Sequence, residues 1–412
     1  MDSLIHIVGK DNLLTLLAIV IVMGAILTAC MYLIYLERKL SAWMQDRIGP
    51  NRVGPFGLLQ PVADGLKFLF KEEVIPAHVD KFLFVLAPMI TVFTTFLAFA
   101  IVPFGDLEHS PEWIRFIIAP GIDIGLVFIF AIGSLAVYGV ILGGWASNNK
   151  YSALGSLRAS AQVISYEIPL GMSVLGLALL HHTLSLETIQ LNQAHGGLAG
   201  WNIWVQPLAC IIFFVSALAE SNRLPFDLSE CEQELIGGFH TEYSALKFGL
   251  FFLGEYTHVI TSSFLTAILF FGGWHFPWIA TPESAYAGAW LVKVGVLLSK
   301  VGLIIVLIML IRWTIPRFRF DQLMGLAWKV LIPLALANAV LVMTVLQFNW
   351  SRWWLFPASF ALLALSGAIS VTAAQNELNQ RRRANDRLPG AGPTSPANGQ
   401  DSQAAHVEMA SH

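Results

Sequence analysis

Between Ala219 and Lys247 the sequence reads AESNRLPFDLSECEQELIGGFHTEYSALK. With Glu255 in the next apolar stretch, this region collects seven carboxylates: Glu220, Asp227, Glu230, Glu232, Glu234, Glu242 and Glu255. The whole chain is only 12% charged and 56% hydrophobic, so composition alone does not place so many acids together. The chemistry this suggests is the holding of negative charge or of protons. On a helix of ~3.6 residues per turn, Asp227, Glu230 and Glu234 share one face and Glu232 points to the other. Like charges at that spacing destabilise one another by about 0.2–0.5 kcal/mol per pair when exposed, and by far more when partly buried. Asp227 with Glu230 three residues on also fits a capping box. The alternative is an ordinary solvated acidic loop. Against it stand the apolar runs Leu224–Phe226 and Leu235–Phe239 that flank the acids and suggest a bilayer edge or a covering partner.

Other ionisable residues lie inside apolar stretches. Glu167 sits two residues before Pro169 in SYEIPLG, and a proline within a helix frees the carbonyl four residues back, here that of Ser165. An acid within a membrane is costly and is usually functional or paired; the alternative for Glu167 is a place at the inner interface. Glu255, Tyr256 and His258 form a polar patch at helical spacing, continued by Thr261 and Ser262. Lys293 and Lys300, seven residues apart, share a face. Lys293 can snorkel, whereas Lys300 lies nearer mid-depth and needs a partner that the sequence does not name. Asp123 reads as a helix cap. The three cysteines, Cys30, Cys210 and Cys231, form no C-x-x-C pair, and of eleven histidines only His258 lies well inside an apolar span. Neither a metal site nor a bis-histidine haem is spelled out, so no redox centre of the chain's own is visible.

These residues are carried by a predicted all-α integral membrane protein. Apolar spans of about twenty residues fall at roughly 12–36, 82–103, 122–145, 163–180, 204–219, 248–273, 290–312, 327–348 and 354–373. The runs are too long and too uniformly apolar for a barrel. The first span lacks a cleavage site and reads as a retained helix. With the N-terminus outside, the inner segments hold nearly all of the 24 Lys and Arg residues, and the outer ones only Lys10, Arg115 and Arg352. Eight spans would leave Arg381–Arg383 outside and nine place them inside, which argues for the ninth. In the first inner loop Gly49, Pro50, Gly54, Pro55 and Gly57 prevent regular structure. Pro61 then suits the first turn of an amphipathic helix, with Val62, Leu66, Leu69 and Phe70 on one face and Asp64, Lys67 and Lys71 on another. Such a helix lies at the membrane surface or simply seals the bundle edge.

Three stretches, ERKLSAWMQDRIGPNRVGPFGLLQPVADGLKFLFKE, SYEIPLG and AESNRLPFDLSECEQELIGGFHTEYSALKFGLFFLGEYTH, resemble the H-subunit family of bacterial NADH-quinone oxidoreductase, the respiratory complex I, whose mitochondrial equivalent is called subunit 1. The resemblance covers about residues 10–348. It implies an eight-helix bundle, with a first inner loop (37–81) and a central acidic loop (220–247) that help build a quinone chamber. An added C-terminal span at 349–380 and a disordered tail at 381–412 exceed the family pattern. The resemblance carries Arg38, Arg47, Asp64, Lys67 and Glu72 to the quinone path or the interface with the peripheral arm. It carries Glu167, Glu220, Arg223, Asp227, Glu230, Glu232, Glu234, Glu242 and Glu255 to an acidic proton path. Quinone would be the substrate, with FMN, NADH and iron–sulfur clusters on partner subunits, no cofactor on this chain and no activity expected of it alone. The implied partners are iron–sulfur peripheral-arm subunits, antiporter-like and small membrane subunits and lipids, with no nucleic acid, in a bacterial inner membrane. Two rivals stay open. The membrane subunit of an energy-converting hydrogenase shares a related fold, but the Gly49–Gly57 loop resembles the quinone-using branch. A stand-alone antiporter would need paired repeats and broken helices, and no internal repeat is found.

Overall fold

A computed structural model of the chain describes residues 10–105, 116–227, 237–284 and 288–385. Its regular elements are helices: α1 (Lys10–Met44), α2 (Gln60–Phe70), α3 (Lys81–Leu97), α4 (Gly125–Ala146), α5 (Lys150–His181), α6 (Leu186–His195), α7 (Pro207–Glu220), α8 (Ala245–Phe270) and α9 (Ala289–Thr314). They are followed by α10 (Phe320–Gln347), which contains a π-helical turn at Ala327–Leu331, and α11 (Leu355–Asn385). Among the described residues the one β pairing is an isolated bridge between Phe276 and Ala280. Among the described residues, seven helical segments are long and apolar enough to cross a membrane: Leu14–Met44, Lys81–Ala100, Gly125–Ala146, Lys150–His181, Ala289–Thr314, Phe320–Gln347 and Arg352–Thr372. Exposed positions of α1 such as Leu16, Leu17, Val20 and Ile21 are apolar, as a surface bathed in hydrocarbon requires. The protein is therefore an all-α integral membrane protein.

Helix α8 is the axis of the bundle, packing against α1, α2, α3, α7 and α9. Every residue from Val259 to Phe270 is buried. Its buried hydroxyls, on Thr257, Thr261, Ser262, Ser263 and Thr266, donate to carbonyls of the preceding turn. A polar helix interior is thereby satisfied without outside partners. The same polar content keeps α8 out of the seven most apolar segments although its 26 residues reach about 39 Å at ~1.5 Å per residue. Helix α7 is apolar but has only 14 residues, about 21 Å against a hydrocarbon core of ~30 Å.

Several local expectations are refined. Helix α5 begins at Lys150 rather than near residue 163, because Ser152, Gly155, Ser156, Ala159 and Ser160 form a buried face whose small side chains admit close backbone approach. A Cβ on Gly155 would lie 2.8 Å from the backbone of Gly238. The helix continues through Pro169, and the Ser165 hydroxyl accepts the Trp328 indole N–H at 3.2 Å. The cap position of α4 is Ile124 and makes no side-chain bond, so Asp123 is not the cap. Pro61 does sit in the first turn of α2.

Lys300 finds its partners at the end of α8. Its ammonium donates to the carbonyls of Phe271 at 2.6 Å, Gly273 at 2.9 Å and His275 at 2.6 Å, and lies 4.3 Å from the centre of the Trp201 ring. A cation there meets the negative end of the helix. The Trp201 indole donates to His275 Nδ1 at 3.2 Å, which requires that nitrogen to be unprotonated. Consistently, burial and then the Lys300 charge lower the His275 pKa to about 4.

Two compact units are distinguished, Met1–Phe360 and Ala361–His412. The first contains all the site residues below, and the described part of the second is helical up to Asn385.

Candidate functional site

A cavity of about 1350 Å³ opens between α1, α2 and the acidic end of α8. Much of its wall is apolar, from Leu27, Met31 and Ile34 on α1 to Phe68 and Leu69 on α2 and Phe248, Phe252 and Leu253 on α8. Its position follows from the loop after α1. Gly57 has φ +83°, and a Cβ there would lie 2.4 Å from the Pro50 carbonyl oxygen, so only glycine lets the loop fold onto itself. Lys39 donates to that same Pro50 carbonyl at 3.0 Å, and the Tyr35 hydroxyl donates to the Phe56 carbonyl at 2.7 Å. Arg38 bonds one oxygen of Asp64 at 2.7 Å, and Gln60 donates to the other at 3.1 Å. Helix α2 is thus tied back onto α1 at the mouth of the cavity.

A charged cluster forms the inner wall. The Glu37 carboxylate accepts the Tyr256 hydroxyl at 2.7 Å, pairs with Arg312 and faces Arg223 at 3.5 Å. The Arg223 guanidinium lies 4.0 Å over the Tyr256 ring, a cation–π arrangement. Burial works to lower the Arg223 pKa, but Tyr256 and the Glu37 and Glu255 carboxylates outweigh it and hold the group above its usual range. Arg317 pairs with Asp227 at 3.2 Å. On α5, the buried Gln162 amide donates to the carbonyls of Ala219 and Phe226 and to Asn222 Oδ1, at 2.9, 2.7 and 3.2 Å. That fork fixes the turn carrying Glu220 and Arg223.

Of the residues singled out from sequence, Arg38, Arg47, Asp64, Arg223, Asp227 and Glu255 line the large cavity. Glu220 does not; it borders a smaller pocket with His258, whose Nε2 lies 3.4 Å from Glu220 Oε1. Glu167, on α5, interacts electrostatically with Glu220 and is hydrogen-bonded by Ser134. Glu242 accepts from the Asn149 amide at 2.7 Å, away from either cavity. Lys67 and Glu72 are exposed and outside the cavity wall. Glu230, Glu232 and Glu234, with the helix expected from Asp227, lie outside the described residues. Among the described residues no three His, Cys, Asp or Glu side chains gather as a metal site.

Sequence reasoning missed Glu37 and Arg312 as site residues and saw Tyr256 and His258 only as a polar patch. The available signal was the position of Glu37 at the end of an apolar run, next to Arg38 and Lys39.

An apolar chamber with an ionic inner wall, extended by acids into the bundle, can take an amphipathic ligand and respond to charge placed on it. The chain matches the NADH dehydrogenase family over residues 17–343. It is 48% identical over 316 residues to an H subunit of NADH-quinone oxidoreductase from Cytophaga hutchinsonii, covering 76% of this chain and 91% of that relative. The H subunits of the same enzyme from Protochlamydia amoebophila and Flavobacterium johnsoniae are 47% and 44% identical, over 76% and 80% of this chain and 92% and 93% of their own lengths. The chain therefore belongs to the NADH dehydrogenase family, which includes these H subunits of NADH-quinone oxidoreductase.

Proposed function

We propose that the chain is the membrane subunit of a proton-pumping NADH:quinone oxidoreductase and that its large cavity receives the quinone head group. The observation that carries this reading is the cavity of about 1350 Å³, generous beside the roughly 300–1,000 Å³ of ordinary small-molecule pockets. An isoprenoid quinone has an apolar body and two polar oxygens, which matches the apolar walls and the Arg223–Glu37–Tyr256 inner wall. Electrons would come from iron–sulfur partners facing the inner loops, with FMN and NADH further out on those partners. The excess of Lys and Arg in the same loops supports their placement on the cytoplasmic side of a bacterial inner membrane, with the N-terminus outside.

Reducing a quinone takes two electrons and two protons, and electrons arriving first place negative charge beside the acids. One charge at ~12 Å with an effective dielectric of ~20 is worth about 1.4 kcal/mol, so two charges move a carboxylate pKa by roughly two units. Such a shift loads a proton, which then moves through Glu255, Glu220 and Glu167 toward antiporter-like partner subunits. Arg38, Arg47 and Asp64 hold the entrance, while Lys67 and Glu72 face a partner. Purified complex labelled with a photoreactive quinone tests the reading. Label should fall on peptides from α1, α2 and α8 and be displaced by rotenone or piericidin; label confined to other subunits would refute it.

A further inference from the structure

The proton route proposed above passes Glu220, and beside Glu220 lies a second cavity of about 30 Å³, room for one or two water molecules. Its wall includes Thr94, Thr95, Thr261 and Ser262. Each of these hydroxyls donates to a carbonyl of its own helix: Thr94 to Ile90 and Thr91, Thr95 to Thr91 and Val92, Thr261 to Thr257 and Ser262 to Val259. With their protons so engaged, they offer the cavity acceptor lone pairs. The groups on that wall able to give or take a proton are Glu220 and His258. His258 Nε2 lies 3.4 Å from Glu220 Oε1, and its Nδ1 is buried without a hydrogen-bond partner among the described residues.

We propose that His258 is the proton acceptor for Glu220, so that the pair shares one proton and passes it through water in this small cavity toward Glu167. The step moves only a proton: the Glu220 O–H bond breaks as the imidazole N–H forms, and the resulting imidazolium stabilises the carboxylate left behind. The imidazole then gives its proton to the water chain and returns to neutral. His258 suits the task because its imidazole has one nitrogen toward Glu220 and a second that is buried without a partner among the described residues, and because it lies one helical turn from Glu255 on the same face. The titratable group set against the pair is Glu167 on α5, which interacts electrostatically with Glu220, while Glu255 and Tyr256 on α8, Arg223 after α7 and Cys30 on α1, whose thiol contacts Thr257 at 3.4 Å, line the large cavity. From α3 the pocket wall takes Thr94 and Thr95, and α4 brings Ser134 to Glu167.

The inference rests on the proton-path reading, and the test separates the two. Membranes carrying His258→Gln, His258→Leu or Glu220→Gln complex are normalised by NADH:ferricyanide activity, which does not use the quinone site. NADH:quinone rate and proton pumping are then followed from pH 5.5 to 9. In His258→Gln, loss of the proton acceptor beside Glu220 should move the acid limb of the pumping profile up by about one pH unit, with pumping at pH 7 reduced at least ~3-fold. Glu220→Gln should not pump. If neither His258 variant shifts the profile, whatever their absolute rates, while Glu220→Gln is inactive, the assignment to His258 is overturned and the path stands. If Glu220→Gln pumps normally, the path itself is wrong and His258 has no role in it.

Discussion

Replacing Glu37 by Gln is the sharpest probe of the chamber wall. The glutamine keeps an oxygen that can accept the Tyr256 hydroxyl but removes the negative charge shared by Arg223 and Arg312. The Glu37 side chain is only 12% exposed and that of Arg223 19%, so this pair is poorly screened by solvent. Arg312 is 40% exposed, and its share is discounted to at most ~1 kcal/mol. A unit charge pair at the 3.5 Å separation of Arg223 and Glu37 is worth about 4–5 kcal/mol at an effective dielectric of ~20. Glu255 and the Tyr256 ring still face Arg223 and recover part of that. A net loss of about 2–3 kcal/mol follows, close to the range for breaking a buried pair. The assay is the thermal inactivation midpoint of the detergent-solubilised complex together with the quinone KM. The midpoint should fall and KM should rise several-fold, with NADH:ferricyanide activity unchanged. Adding Arg312→Gln should cost little more, because its partner charge is already gone. An unaltered midpoint and KM in Glu37→Gln, or full additivity with Arg312→Gln, would refute the cluster as the organiser of this wall.

Three further outcomes are expected. Lys300→Met removes three charge-assisted hydrogen bonds and leaves carbonyls unpaired, so it should cost about 3 kcal/mol or more and lower the yield of assembled complex on native gels without changing the pH profile of the complex that does assemble. His275 has a folded pKa lowered from 6.5 to about 4, so stability is present above pH 6.5 and is lost as pH falls toward 4, by at most about 3 kcal/mol; thermal midpoints between pH 7 and 5 should drop more in the parent complex than in His275→Asn. Gly57→Ala puts a Cβ onto the Pro50 carbonyl at φ +83°, and a cost of about 1–3 kcal/mol should appear as faster proteolysis between α1 and α2 and a higher quinone KM.

The bundle was legible because an apolar run has few solutions in a bilayer other than a helix. Helix α2 was legible because Pro61 and the spacing of Val62, Leu66 and Leu69 carry a local pattern. Helix α5 was underestimated at its start, where Lys150–Gln162 is too polar to read as a span and makes sense only against the backbone it packs on. The chamber wall was harder still. Glu37 meets Arg223, Tyr256 and Arg312 across 186, 219 and 275 residues of chain, and no local periodicity records such pairings. Glu37, Arg38 and Lys39 read as an orientation signal at a helix end, and only the fold separates Glu37, turned to Arg223, from Arg38, turned to Asp64. Lys300 posed the same difficulty: its partners are backbone carbonyls, which carry no residue-type signature.

The central claim is that charge arriving on a bound quinone is felt by the acids that lead away from the large cavity. Simultaneous measurement of quinone reduction and proton translocation in well-assembled Glu220→Gln complex tests it most directly. The account predicts that both rates fall together while NADH:ferricyanide activity is retained; both rates staying at the parent level would contradict it.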